Sequence, residues 1–81
     1  MRVTIRYFSH LRSTLGCESE SVEVADGAIV RDVVDNVAAR HAAVANVRSS
    51  LRYAVGTSFV DAAHELSDLD ELALLTPVSG G

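Results

Sequence analysis

The sequence predicts an α+β domain in which one mixed sheet of four to five strands packs on one main helix. The chain has 81 residues, of which 48% are hydrophobic and 22% charged, and this suits a single small core. Segments with alternating apolar residues lie towards both ends, and a long segment with helical spacing lies between them. The predicted order is strand, short helix, strand, long helix and three strands, which fits one sheet covered by one helix.

The first predicted strand is Arg2–Phe8, because apolar residues occupy alternate positions. The residues that share its inward face are Val3, Ile5 and Tyr7. Phe8 falls on the other face, which is otherwise polar. Ser9 then predicts the N-cap of a short helix over residues 10–15, and Gly16 suits the left-handed residue that ends such a helix.

A second strand is predicted at Ser21–Ala25, followed by a turn or loop at Asp26-Gly27. The long helix is predicted from about Val30 to about His41. Its apolar side consists of Val30, Val33, Val34, Val37 and Ala38. Valine has a low helix propensity, so packing must stabilise this helix, and no Ser or Thr stands at its expected N-cap.

The segment Ala42–Ser50 is predicted to be irregular or weakly helical. Three further strands complete the predicted sheet: Leu51–Gly56, Phe59–Ala62 and Glu71–Thr76. In the last strand Leu72 and Leu74 face inward, and Ala73 and Leu75 face outward. Pro77 has no N–H to donate and ends the pairing. We therefore expect a domain at 1–77 and a flexible tail at 78–81.

The charge pattern disfavours several classes of partner. The net charge is −4, and all seven basic residues are dispersed arginines, so the basic stripe typical of nucleic-acid binding is missing. No apolar run approaches the ~18–20 residues of a membrane span, and we expect a cytoplasmic protein without membrane or nucleic-acid partners. Because the sequence has no lysine, no side-chain amine is available for a Schiff base or an isopeptide bond.

Residue types that support catalysis do not form a recognisable set. The histidines, at positions 10, 41 and 64, have no second metal ligand at a suitable spacing. Cys17 has two glutamates nearby, which disfavour a thiolate, so we interpret it as inert. Asp68, Asp70 and Glu71 are interpreted as a solvated turn, because the segment lacks the pattern of a calcium loop. The sequence predicts no active site, no metal and no bound cofactor.

The sequence ends in Gly80 and Gly81, and this dipeptide has two interpretations. Glycine is costly to order, so simple fraying is one of them. The other is that a tail without side chains threads a narrow tunnel and delivers its carboxylate to another protein's active site. Such a carboxylate first needs activation, for example as an acyl-adenylate. Phe8, Phe59 and Leu75 are predicted to converge on the outer sheet face as a partner-docking patch.

Three segments carry a resemblance to a known family: YFSHLRSTLG, LRYAVGTSFV and HELSDLDELALLTPVSGG. The last segment is the most specific, because it joins an acidic turn, an apolar strand, a proline and a closing Val-Ser-Gly-Gly. The chain resembles the MoaD/ThiS family of ubiquitin-like sulfur carriers, which includes the sulfur-carrying small subunits of molybdopterin synthase. The resemblance runs the whole length and implies a β-grasp fold.

The resemblance also implies a mechanism. An E1-like adenylyltransferase that uses ATP converts the carboxylate of Gly81 to an acyl-adenylate, and sulfur transfer then gives a thiocarboxylate, so that Gly81 becomes 1-thioglycine. The large, catalytic subunit of molybdopterin synthase accepts the tail, and the sulfur is donated to the pterin precursor of the molybdenum cofactor. The small subunit alone is not catalytic. The tail residues are Val78, Ser79 and Gly80, and the docking residues are Phe8, Phe59 and Leu75.

The chain departs from the usual family pattern at four places. Gly56 replaces a common Asn, Leu69 replaces a common Gly, Thr76 replaces the first residue of a Pro-Pro pair, and Leu75 stands where an aromatic residue is frequent. Three alternatives stay open at this point. They are a carrier for thiamine, cysteine or tRNA thiolation, a ubiquitin-like protein modifier, and a plain interaction domain whose Gly-Gly is incidental.

Overall fold

The computed structural model describes residues 1–76, so Pro77 and the predicted tail at 78–81 lie outside the described residues. The strands of the described chain are β1 Arg2–Tyr7, β2 Ser19–Glu23, β3 Arg52–Val55, β4 Ser58–Val60 and β5 Glu71–Leu75. The helices are α1 Ser9–Leu15, α2 Val30–Arg40 and α3 Ala42–Val47, and a 3-10 turn follows at Arg48–Ser50. All the predicted strands are present, with ends that differ by one or two residues.

The five strands form one mixed sheet in the order β2-β1-β5-β3-β4. β1 pairs antiparallel with β2 and parallel with β5. β5 also pairs antiparallel with β3, and β3 pairs antiparallel with β4. The first and last strands of the described chain therefore lie side by side in the middle of the sheet. This confirms the predicted mixed sheet.

The core lies between one face of this sheet and the helices. Its buried residues are Val3, Ile5, Tyr7, Leu11, Val30, Val33, Val34, Val37, Val44, Leu51, Leu66, Leu72 and Leu74. The predicted inward faces of β1 and β5 are thus confirmed, as is the valine face of α2. Among residues 1–76, no polar or charged residue other than Tyr7 is buried. Apolar burial is accordingly the main source of stability for this domain.

The start of α1 differs from the prediction. Ser9 does not cap the helix; it is the first helical residue, with φ 51°. Phe8 is the N-cap, with φ −128° and ψ 159°, because the extended backbone of β1 continues through Phe8. The end of the helix is as predicted, since Gly16 has φ 74° and its N–H donates to the carbonyl oxygen of Arg12 at 3.0 Å.

The structure explains why α2 needs no Ser or Thr at its start. The first two N–H groups of the helix donate to the backbone carbonyls of His64 and Ala62, each at 2.9 Å. The Asp32 carboxylate accepts the N–H of Ile29, the residue before the helix, at 3.0 Å. A segment distant in sequence therefore satisfies N–H groups that a cap side chain would otherwise bind.

Other boundaries also differ from the predicted ones. The segment 42–50, which was predicted to be irregular or weakly helical, is helical and contributes Val44 to the core. β2 begins at Ser19, two residues earlier than predicted, and β4 ends at Val60 instead of Ala62. The turn at Asp26-Gly27 leads into α2 and does not join two strands.

In residues 1–76, the helices are all too short or too polar to cross a membrane.

Candidate functional site

The outer face of the sheet is the face turned away from the helices. Across β1, β5, β3 and β4, one row of cross-strand neighbours on this face is Arg6, Ala73, Ala54 and Phe59. Two residues further along β5, Leu75 is paired with Arg52. Leu72 and Leu74 alternate with these positions and are buried, so the outward direction of Ala73 and Leu75 follows from the strand geometry.

Phe8 joins the same face although it lies just beyond β1. Its backbone is extended, and the preceding residue, Tyr7, is buried opposite Leu74. The alternation of side chains therefore directs Phe8 outward, next to Leu75. The guanidinium carbon of Arg6 lies 5.5 Å from the centre of the Phe8 ring. This cation–π contact helps to fix the ring on the outer face.

Five residues form what we call the apolar patch: Phe8, Ala54, Phe59, Ala73 and Leu75. Phe59 is 72% exposed, whereas Phe8 and Leu75 are half-buried. The three residues singled out from the sequence are thus brought to one face, while their docking role stays a prediction. Sequence reasoning did not include Ala54 and Ala73 in the patch, although their outward positions follow from the same alternation.

Charged and apolar groups extend this face towards the start of β5. Arg6 Nη1 lies 3.4 Å from Glu71 Oε1, and both side chains are about half exposed. Leu69, just before β5, is 74% exposed and has φ 69°. In the sequence, Leu69 stands out only because it replaces a glycine that is common in the family. Its exposure was not predicted, because a single leucine in a turn gives no periodic signal.

The chain leaves the sheet beside the apolar patch. Thr76 directly follows Leu75 at the end of β5, and β5 lies between β1 and β3. Val78, Ser79, Gly80 and Gly81 lie outside the described residues, so their predicted roles are not tested by this geometry. The described part nevertheless brings the origin of the tail and the predicted docking residues to one region.

A polar cluster lies on the opposite side, where β2 meets the end of α2. Glu20 forms an ion pair with Arg40, and Glu20 Oε2 lies within hydrogen-bond distance of His41 Nε2, at 3.1 Å. Partial burial acts to raise the pKa of Glu20, but hydrogen bonds from Arg40 and His41 outweigh it and lower that pKa. Burial, reinforced by the Glu20 charge, raises the pKa of the Tyr7 hydroxyl well above its usual value. Tyr7 is therefore neutral, and the cluster is a structural contact.

The remaining candidate residues are not brought together. Among residues 1–76, no group of three or more His, Cys, Asp or Glu side chains could hold a metal ion. Cys17 is half-buried against the core. Asp68 accepts the N–H of Arg2 and Asp70 accepts the N–H of Ser67, both at 2.8 Å. These carboxylates therefore stabilise the turn before β5.

The mixed sheet packed on α2 is the β-grasp fold of ubiquitin-like proteins, which the resemblance implied. The profile of one family, described as the ThiS family, matches residues 5–81. The chain belongs to the ThiS family.

Similar proteins come from algae, archaea and bacteria. The molybdopterin synthase sulfur carrier subunit of Chlamydomonas reinhardtii is 30% identical over 83 residues, with 100% of both chains covered. The structure of SAMP1, small archaeal modifier protein 1, from Haloferax volcanii has a TM-score of 0.87 and 25% identity, also with 100% of both chains covered. A chain of the Amycolatopsis orientalis BexX/CysO complex has a TM-score of 0.71 and 31% identity, with 98% of this chain and 99% of that chain covered.

Proposed function

We propose that this protein is a sulfur carrier whose C-terminal glycine, Gly81, is adenylated and converted to a thiocarboxylate, and that it donates this sulfur to the pterin precursor in molybdopterin biosynthesis. The observation that carries the proposal is the match to the ThiS family through residue 81. Further support comes from the full-length similarity to an algal protein named as a molybdopterin synthase sulfur carrier subunit. We also propose the cytoplasm as its location.

The proposed chemistry takes place at Gly81. On an E1-like adenylyltransferase, a carboxylate oxygen of Gly81 attacks the α-phosphorus of ATP, and pyrophosphate leaves. A sulfur nucleophile at the oxidation level of sulfide then attacks the acyl carbon, and AMP leaves. Val78, Ser79 and Gly80 form the segment that enters the partner's active site, where a glycine permits the closest backbone approach.

The proposed acceptor of the sulfur is bound by another protein. The large, catalytic subunit of molybdopterin synthase receives the tail, and the thiocarboxylate sulfur displaces an oxygen substituent from a carbon of the pterin precursor. Water then hydrolyses the resulting thioester, which leaves the sulfur on the pterin and restores the Gly81 carboxylate. Two such rounds, each with a newly charged carrier, build a dithiolene. The apolar patch is the surface on which this subunit docks. Its position beside Thr76, the last described residue, supports this role, because docking there brings the partner to the origin of the tail.

The test is the intact mass of the protein purified from its own host. We expect a species heavier by the difference between a sulfur and an oxygen atom, located at Gly81 by fragmentation. Deletion of Gly81 should abolish this species and leave the Tm unchanged, since the core of the described residues is formed between Val3 and Leu74. Asp26→Asn, whose side chain is 95% exposed and lies outside the tail and the apolar patch, is the control and should still acquire the sulfur.

Two results would contradict the proposal. One is an unmodified terminus in a host that is actively making the molybdenum cofactor. The other is a lowered Tm in the Gly81 deletion, because this would make the tail part of the folded domain.

A second candidate function is that of a ubiquitin-like protein modifier. It is favoured by the similarity to SAMP1, which is named small archaeal modifier protein 1. A modifier joins its terminal carboxyl group to amines of other proteins, so immunoblots of host extracts under denaturing conditions would show a ladder of high-mass conjugates. A dedicated carrier gives none. The similarity to the BexX/CysO chain also keeps open a carrier that serves a pathway other than molybdopterin synthesis.

A further inference from the structure

Leu69 combines a strained backbone conformation with an exposed apolar side chain. Its φ of 69° is a left-handed conformation, which costs an L-residue with a Cβ about 1–2 kcal/mol. Its side chain is also 74% exposed to solvent, so it contributes little to the core. Glycine takes up this backbone conformation without strain. A leucine here therefore calls for a role outside the isolated domain.

The backbone around Leu69 is held firmly, so the side chain is presented in a defined direction. The N–H of Leu69 donates to the carbonyl oxygen of Arg2 at 2.7 Å. Ser67 and Asp70 bond each other twice, because the N–H of Ser67 donates to Asp70 Oδ2 at 2.8 Å and the N–H of Asp70 donates to the Ser67 carbonyl at 3.1 Å. Because the backbone of this turn is already ordered, its burial by a partner costs side-chain entropy but little further backbone entropy.

Leu69 is continuous with the apolar patch. Together with Phe8 and Ala73 of the patch, it lines a surface depression of about 510 Å³. The opposite wall of the depression is the β3–β4 hairpin at Gly56 and Thr57. β5 rises roughly 13 Å from Glu71 to Leu75 at about 3.3 Å per residue, and Leu69 lies two residues before its start. A partner that covers both leucines must therefore cover the full length of the central strand.

The charges around the depression indicate what the partner presents. Glu71 is paired with Arg6, but Asp70 has no ion-pair partner among residues 1–76. A surface that fits here carries an apolar side chain against Leu69 and a lysine or arginine towards Asp70.

We propose that Leu69 is a specificity-determining contact for the large, catalytic subunit, and that it is buried when that subunit docks on the apolar patch; this inference rests on the proposed function. The catalytic subunit is chosen over the adenylyltransferase because of the extent of the surface. A stable subunit pair buries a larger and more apolar area than a transient encounter does, and Leu69 lengthens the apolar patch. Leu69 thus adds a second contact point at the end of the sheet opposite Leu75.

The experiment measures the Kd of the full chain for the catalytic subunit by calorimetry. Leu69→Gly removes the side chain and relieves the backbone, so we expect a Kd at least about 10-fold weaker with an unchanged or higher Tm. Leu69→Asn, which also tolerates the left-handed backbone, should behave in the same way, and Leu69→Met should keep most of the affinity. Thr14→Ala, an exposed position on α1 and therefore outside the docking face, is the control and should change the Kd less than about 2-fold.

The second measurement is the rate of ATP-dependent adenylation by the adenylyltransferase. Leu69→Gly should leave this rate within about 2-fold of the parent value.

Four outcomes would contradict the proposal or part of it. An equal loss of affinity for the catalytic subunit and of adenylation rate overturns the choice of the catalytic subunit. A Leu69→Gly chain that binds normally while Phe59→Ser binds weakly overturns the role of Leu69 and leaves the proposed function standing. If neither change weakens binding, the docking face itself is wrong. A large fall in the Tm of Leu69→Gly would make Leu69 structural and also overturn the proposal.

Discussion

Leu74 and Leu75 are neighbours in β5 and lie on opposite faces of the sheet. Leu74 is fully buried in the core, whereas Leu75 is half-buried in the apolar patch and is paired with Arg52 across the strands. A substitution to a charged residue therefore places the charge in the apolar core at position 74. At position 75 it places the charge on a partly hydrated surface beside Arg52. These two residues therefore separate the requirements of folding from those of the docking role that we propose for the apolar patch.

We expect Leu74→Asp to unfold the domain, because it buries a carboxylate with no partner and removes a core side chain, at a cost of about 3–5 kcal/mol. Leu75→Asp should change the free energy of unfolding by less than about 1 kcal/mol and should weaken binding to the catalytic subunit. Urea denaturation followed by circular dichroism measures the first effect, and calorimetry measures the second. Equal destabilisation by both variants would show that the outer face is part of the core.

The edge strand β2 is attached to the rest of the fold by few apolar contacts. Its sequence, SESVE, offers Val22 to the core, and the other positions are polar. Glu20 compensates by linking β2 to the end of α2 through Arg40 and to the following residue, His41. The stability of this edge therefore depends on the charge of one partly buried carboxylate.

The pKa of Glu20 is lowered in the folded state, and this fixes the direction of its pH dependence. The contribution of Glu20 to the free energy of unfolding is fully present above the pKa that this carboxyl has in the unfolded chain. It is lost as the pH falls through the lower pKa of the folded state. Glu20→Gln should reduce the free energy of unfolding by about 1–2 kcal/mol at neutral pH. The difference from the parent protein should shrink as the pH falls below about 4.3, the ordinary pKa of a glutamate.

Glu18→Gln is the matched control for this titration, because Glu18 also faces an arginine but its side chain is 77% exposed. Exposed ion pairs contribute little, so this variant should follow the parent curve closely. Urea denaturation at a series of pH values gives both comparisons. A Glu20→Gln deficit that grows in acid would show that Glu20 is not stabilised as a carboxylate.

The central pair of strands, β1 and β5, joins the two ends of the described chain. Thr4 is opposite Glu71 and Tyr7 is opposite Leu74. This parallel pairing therefore holds the start of the chain against the end of its described part. Each of these strands has a neighbour on both sides, whereas β4 has three residues and lies at an edge. Opening of the central pair therefore requires the loss of the whole core.

We expect the backbone amides of β1 and β5 that donate within the sheet to exchange with solvent only through global unfolding. The amides of β4 should exchange at least about 10-fold faster, because an edge strand of this length opens locally. Hydrogen exchange followed by NMR resolves both groups. Equal protection of β4 and β5 would contradict this ranking.

Local patterns in the sequence predicted those parts of the fold that depend on local spacing. The alternation of apolar and polar residues predicted the inward face of β1. The left-handed φ that a helix end requires predicted the end of α1 at Gly16. The start of α2 was not predictable, because its N–H groups bind carbonyls of Ala62 and His64, some thirty residues away. The contact between Glu20 and His41 was missed for the same reason. The outward position of Phe59 was predicted, but its neighbours depend on strand order, which periodicity does not specify.

The absence of lysine limits how this domain can be labelled with a fluorescent dye. The sequence has no side-chain amine, and the nitrogen of Met1 donates to Val24 O at 2.8 Å and to Asp26 Oδ1 at 3.4 Å. Because β1 and β5 are parallel, this contact lies at the end of the sheet remote from Leu75. An amine-reactive dye therefore leaves the side chains of the apolar patch untouched, so its signal does not depend on the surface that it is meant to report on.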